Sequence, residues 1–250
     1  MSKRTVKTFD VCLPSSWAEL TQKQLKFVFR LLAKDKTAEE VKTLCLVAWN
    51  KLEVVRLNTP HRFLLKRGKE VVEVSTRDIQ KAMRPLDFID VLPEVPLRLE
   101  KIGLHRALPA DFEGVPFEKY LFLENLFQGY LHTEDDNLLK QMAQILYDKK
   151  DINPDKAELI SIFYWFASLK RYFTYLFPNF LKPVPAEKNL IGSADLYRQL
   201  SEATNAQLRA LTRGDVTKEA QVRAMDTHRA LTELDAKAKE AEDLRKTMKS

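Results

Sequence analysis

The segment Asn153–Phe180, NPDKAELISIFYWFASLKRYFTYLFPNF, decides how the rest of this chain is read. Asn153-Pro154 is a helix start, since Asn caps well and the missing N–H of proline costs nothing in a first turn. From Leu159 to Phe177 apolar residues occupy nearly every side of the expected helix. That pattern belongs to a helix enclosed by others. Phe163, Tyr164, Trp165, Phe166, Tyr172, Phe173, Tyr175, Phe177 and Phe180 therefore read as the centre of a core, with a hydrophobic groove along one edge as the alternative use. Lys170 and Arg171 interrupt the run, so it is not the roughly 18-residue apolar stretch of a membrane span.

Working outward, Pro116 suits the first turn of a helix to about Leu131, with Phe117, Tyr120, Leu121, Leu123, Leu126 and Phe127 available for packing. Thr133-x-x-Asp136 predicts the cap of a further helix carrying Leu138, Leu139, Met142, Ile145 and Leu146. Nearer the N-terminus, Thr21-x-x-Gln24 and Thr37-x-x-Glu40 are capping boxes. The first opens a helix whose face is Leu25, Val28, Phe29 and Leu32, the second a helix whose face is Val41, Leu44, Cys45 and Ala48. Residues 21–50 thus read as an αα-hairpin. The period then changes: Glu53–Leu57, Arg62–Lys66 and Glu70–Val74 are rich in Val, Leu and Phe around a turn at Arg67-Gly68-Lys69, which predicts a small β-hairpin or meander. A short helix from about Thr76 to Arg84 follows, after which Pro85, Pro93, Pro96 and Pro109 break the chain into irregular pieces.

Pro178, Pro183 and Pro185 mark a linker, and residues 193–248 read as two helices separated at Arg213–Val216. The expected fold is mainly α: a multi-helix globular core domain, residues 1–182, with a β-rich insert at about 53–106. A linker at 183–192 and a C-terminal helical hairpin at 193–250 complete it.

The composition narrows the function classes. Of 250 residues 45% are hydrophobic, which is enough for a packed core, and 41 basic against 35 acidic residues leave a net charge of +6 with both signs interspersed. Nucleic-acid modules concentrate their cations on one face, because affinity comes from neutralising adjacent phosphates. The best such cluster here is Lys66, Arg67 and Lys69 at the hairpin tip, helped by Arg62, Arg77 and the basic Ser2–Lys7 arm, but Glu70 and Glu73 dilute it. Nucleic acid is therefore not the expected partner. Cys12 and Cys45 have no CxxC spacing, and His61, His105, His132 and His228 are dispersed, so no metal is expected. GxxxxGK[ST], GxGxxG and GxSxG are absent, and acidic pairs such as Asp87/Asp90 and Asp135/Asp136 read as solvated caps. The chain is read as non-enzymatic, with no cofactor. The N-terminal MSKRTVKTFDVCLP has no secretory apolar core, so the expected location is the cytoplasm.

What remains suggestive is apolar helical surface. Leu231, Leu234, Ala238, Ala241 and Met248 recur near seven-residue spacing, with Arg245 at a seam position. Leu231, Leu234, Ala238 and Ala241 are the candidate partner contacts. The segment LRALTRGDVTKEAQVRAMDTHRALTELDAKAKEAED, together with the opening LPSSWAELTQKQLKFVFRLLA, resembles proteins encoded near the tail genes of phages and prophages of gut Bacteroidetes. Residues 196–245 also resemble the carboxy-terminal part of tail assembly chaperones, while the β-rich insert departs from a purely helical chaperone. The resemblance implies a phage assembly factor in the bacterial host cell, holding a helical client such as a tape-measure protein. A structural virion component, such as a connector or tail-completion protein, is the alternative, and a nucleic-acid-binding regulator a second one. Self-association into a homo-oligomer is compatible with any of them.

Overall fold

A computed structural model describes residues 10–34, 36–59, 61–181 and 193–248, with backbone alone at 57–59 and 193–197. The chain is mainly helical with a small antiparallel sheet. It divides into two compact units, Met1–Pro93 and Glu94–Ser250.

In the first unit, helices α1 (Gln22–Leu32) and α2 (Ala38–Trp49) both start at complete capping boxes, on Thr21/Gln24 and Thr37/Glu40. Each box satisfies two otherwise orphaned backbone donors, so these starts are locally determined. Leu25, Val28 and Phe29 of α1 are fully buried. On α2 the buried face is Val41, Lys42, Cys45 and Leu46, whereas Leu44 and Ala48 are exposed. The face is rotated from the apolar spacing because Lys42 points inward, its Nζ lying 2.9 Å from Asp90, 3.1 Å from Asp87 and 3.4 Å from Glu39. Asp87 and Asp90 thus hold a buried ammonium.

Strands β1 (Glu53–Thr59), β2 (Arg62–Arg67) and β3 (Glu70–Ser75) form the meander in the order β1-β2-β3. Gly68, at φ +60°, supplies the left-handed position of the two-residue turn joining β2 to β3. Leu65 and Val72 pair across the sheet and are buried, and Leu65 joins Leu46, Leu52 and Met83 in a small core. Helix α3 (Thr76–Met83) follows directly, capped by Ser75. Pro85 then sits in the first turn of a 3-10 helix, Arg84–Asp90, and not in an extended break. Proline fits there because the first N–H groups of a helix have no internal partner.

The second unit begins with an irregular strap containing the hairpin β4 (Lys101–Ile102) and β5 (His105–Arg106). Its main helices are α4 (Phe117–Thr133), α5 (Asp136–Leu146), α6 (Lys156–Leu176), α7 (Ser193–Thr212), the short α8 (Glu219–Arg223) and α9 (Thr227–Thr247). Trp165, Phe166 and Phe173 of α6 are fully buried, at the centre of the large core, although Tyr175 is exposed. The N-cap of helix α6 is Asp155, one residue beyond the Asn-Pro pair, and it completes a capping box with Glu158. Thr133 does not cap α5: it ends α4, its hydroxyl donating to the Gly129 carbonyl, while Asp135 accepts the Asn137 N–H as the cap.

Beyond Thr212 the chain forms three elements in place of one continuous helix. Arg213 and Gly214 have positive φ, Val216–Lys218 is a 3-10 turn, and α8 stops before Asp226 restarts the chain as α9. The second break is made by the strap. Asp226 accepts the Gly114 N–H at 2.6 Å as well as the Arg229 N–H, Phe117 N–H donates to the Met225 carbonyl, and Thr227 N–H donates to Val115. The expected linker at 183–192 lies outside the described residues. The helices beyond it contribute Leu208, Val222, Ala230, Leu231 and Leu234 to the same core as α4 and α6.

Candidate docking groove and the distal C-terminal helix

Helix α4 has two working faces. Tyr120, Leu121, Leu123 and Phe127 are buried, and Tyr120 and Phe127 make ring contacts with Phe166 of α6. The other face carries Phe122, Asn125, Leu126, Gly129, His132 and Thr133, which line one side of a groove of about 550 Å³. These positions recur at three- and four-residue steps, so they form a single stripe. At 1.5 Å per residue the stripe runs about 16 Å, or roughly three turns. The opposite wall is α7, through Leu200, Ser201, Thr204 and Asn205, and Leu138 of α5 lies at one margin.

The groove is mainly apolar, with neutral polar side chains and no carboxylate in its lining. Asn125 Nδ2 donates to Thr204 Oγ1 at 3.4 Å and ties the two walls together. Gly129 allows Leu138 to lie over α4, because a Cβ there would sit 3.1 Å from Leu138 Cδ1. Phe122 is 53% exposed, so a large aromatic ring stands at the rim in water. Arg223, the lining cation, is engaged by Glu219 at 2.7 Å and Glu118 at 3.7 Å. Behind the groove, Glu124 of α4 accepts from Lys170 of α6 and from Gln128, while its second carboxylate oxygen is buried without a partner among the described residues.

The four contacts expected on the last helix are not one surface. Leu231 and Leu234 are buried in the core, Ala238 is half-buried and Ala241 is exposed. Asp235 explains where α9 leaves the core: its carboxylate accepts the Asn179 N–H and Nδ2–H, each at 2.7 Å, and the Phe180 N–H at 3.0 Å. Burial pushes this carboxyl up, but those hydrogen bonds outweigh it and hold the group below the usual Asp value. Leu244 and Met248, farther along, are exposed.

The basic tip of the meander is diluted by ion pairing and backbone contacts. Lys66 lies 3.7 Å from Glu53, Arg62 lies 3.4 Å from Glu73, and Arg67 donates to the Asp10 carbonyl at 2.9 Å, with Lys69 on the turn beside them. The Ser2–Lys7 arm lies outside the described residues. No group of three or more potential metal ligands occurs among the described residues. His228 is taken up in packing, with Nε2 at 2.7 Å from the Asp111 carbonyl and its ring edge-on to Phe173. Cys45 is buried, which pushes its thiol up to about 12 and away from nucleophilic chemistry.

The groove as a site was not visible in the sequence, where α4 is apolar on several sides and Leu126 reads as one more packing residue. Two signals pointed to it: a phenylalanine one position out of phase with the core at Phe122, and a glycine inside a helical pattern at Gly129. No described helix is long and apolar enough to cross a membrane. Compared with protein-family models, curated proteins and solved structures, the chain finds no match.

Proposed function

We infer that this chain is a non-enzymatic phage assembly factor of the tail assembly chaperone kind, working in the host cytoplasm and binding a helical client such as a tape-measure protein. The observation that supports it is the α4–α7 groove: an apolar trough about three turns long matches an amphipathic helix that inserts side chains at i, i+3 or i+4, and i+7. The resemblance of residues 196–245 to tail assembly chaperones supplies the phage context. A long client made of such helices needs its apolar stripes covered until it assembles, and a groove with polar margins covers them reversibly.

Co-expression with a candidate tape-measure protein tests the reading. The client is expected to be more soluble with this chain than without it, and Phe122→Glu, which puts a charge at the groove rim, is expected to abolish the gain. A client equally insoluble in both cases sinks the proposal. The second reading, a structural virion component, is favoured by the exposed Val54 and Val55 on edge strand β1 and by the exposed distal half of α9, both suited to contacts between neighbouring subunits. Mass spectrometry of purified particles separates the two, since a stoichiometric component stays in the virion and a chaperone leaves.

A further inference from the structure

The groove and the distal half of α9 are matched surfaces on the same chain. Beyond Leu234, α9 and the Met248 that caps its C-terminus present Ala241, Leu244 and Met248 to solvent, with Leu244 65% and Met248 87% exposed. They follow at i, i+3 and i+7, the spacing of anchors on a helix that lies in a groove. Ala241 to Met248 spans about 10 Å of helix rise, within the roughly 16 Å stripe of α4. The groove's lining offers hydroxyl and amide groups and one cation, Arg223, already engaged by Glu219 and Glu118, while the anchors are flanked by both signs, Glu240 and Asp243 on one side and Arg245 and Lys246 on the other. The helix cannot deliver these residues to its own groove by folding back, because it is continuous from Thr227 to Thr247 and held at its base by Asp235.

We propose that the distal half of α9 from one copy seats in the α4–α7 groove of a second copy, joining the chains head to tail. The two surfaces differ, so each added copy leaves one groove and one helix free, and association proceeds to a ring or an open chain instead of stopping at a two-fold dimer. One short helix covers far less than the roughly 1,600 Å² of a standard interface, so the contact is weak and concentration-dependent. It rests on the reading of the groove as a helix acceptor, and it makes a second copy the competitor that a client must displace.

Sedimentation velocity on the full chain tests this with two variants, each checked for folding by circular dichroism. Phe122→Glu spoils the groove and keeps the helix; Leu244→Glu combined with Met248→Glu spoils the helix and keeps the groove. The unaltered chain is expected to gain mass with concentration, each variant alone to remain a monomer, and an equimolar mixture to form a 1:1 dimer and nothing larger. A chain that stays monomeric at every concentration overturns the proposal, as does a mixture that fails to dimerise. If Phe122→Glu loses client solubilisation while the unaltered chain never self-associates, the groove reading stands and self-docking falls. If the mixture dimerises but client solubility ignores Phe122, the opposite holds.

Discussion

Single side chains decide where helices begin and where they leave the core. Asp235 gathers three N–H donors from the residues that follow α6. Asp235→Ala leaves them without an acceptor in a half-buried site, and a loss of about 1–3 kcal/mol is expected from urea unfolding. Because the folded carboxyl titrates below the unfolded one, its contribution is present above the unfolded value of roughly 3.9 and disappears as pH falls through the lower folded value. The urea midpoints of the parent and of Asp235→Ala should therefore converge as pH falls through that lower folded value. Lys42 follows the opposite sign. Burial pushes its ammonium down, but hydrogen bonds to Asp90 and Asp87 outweigh that and hold it above the ordinary lysine range. Its contribution is present below roughly pH 10.4 and is lost only as pH rises through the folded value. Lys42→Met removes the charge and keeps much of the packing volume. It is expected to lower stability by about 1–2 kcal/mol, since Asp87 and Asp90 are left facing each other but remain partly in water.

Among the helices, α4 and α9 carry the consequences for binding. Gly129→Ala removes a helix-interior glycine, which by propensity favours the helix by up to about 1 kcal/mol. The new methyl also meets Leu138 Cδ1 at 3.1 Å, so Leu138 must shift within the groove margin. Stability close to that of the parent, together with several-fold weaker binding of an amphipathic client peptide, is the expected result by thermal melting and fluorescence anisotropy. Asp226 serves both the start of α9 and the strap at Gly114. Asp226→Ala should cost about 1–2 kcal/mol. It should raise hydrogen exchange at both the Gly114 and Arg229 amides, whereas a cap acting on α9 alone would leave Gly114 unchanged.

On the scale of the whole molecule, two hydrophobic clusters each lie within one unit. Leu46, Leu52, Leu65 and Met83 close one small core of the first, and the large aromatic core lies entirely within the second. Residues 94–250 expressed alone are expected to unfold in one cooperative transition and to retain client binding. Loss of either would show that the first unit takes part in the groove's function.

Much of the local structure was legible in the sequence because its causes lie within a few residues. The capping boxes at Thr21 and Thr37, the turn at Gly68 and the period-two strands around it each depend on neighbours in the chain, and the structure has them where the pattern put them. The enclosed helix Lys156–Leu176 was likewise predictable, since apolar residues on all sides leave burial as the stable outcome. Where partners come from far along the chain, sequence was insufficient. Lys42 turned a face of α2 inward because two aspartates more than forty residues away meet its ammonium. The last helix was interrupted at Asp226 because the strap at 114–117 needed hydrogen-bond partners there. Apolar spacing shows which residues share a face, but burial of Leu231 and Leu234 beside exposure of Leu244 and Met248 depends on how far the core extends along α9, which only the assembled helices determine.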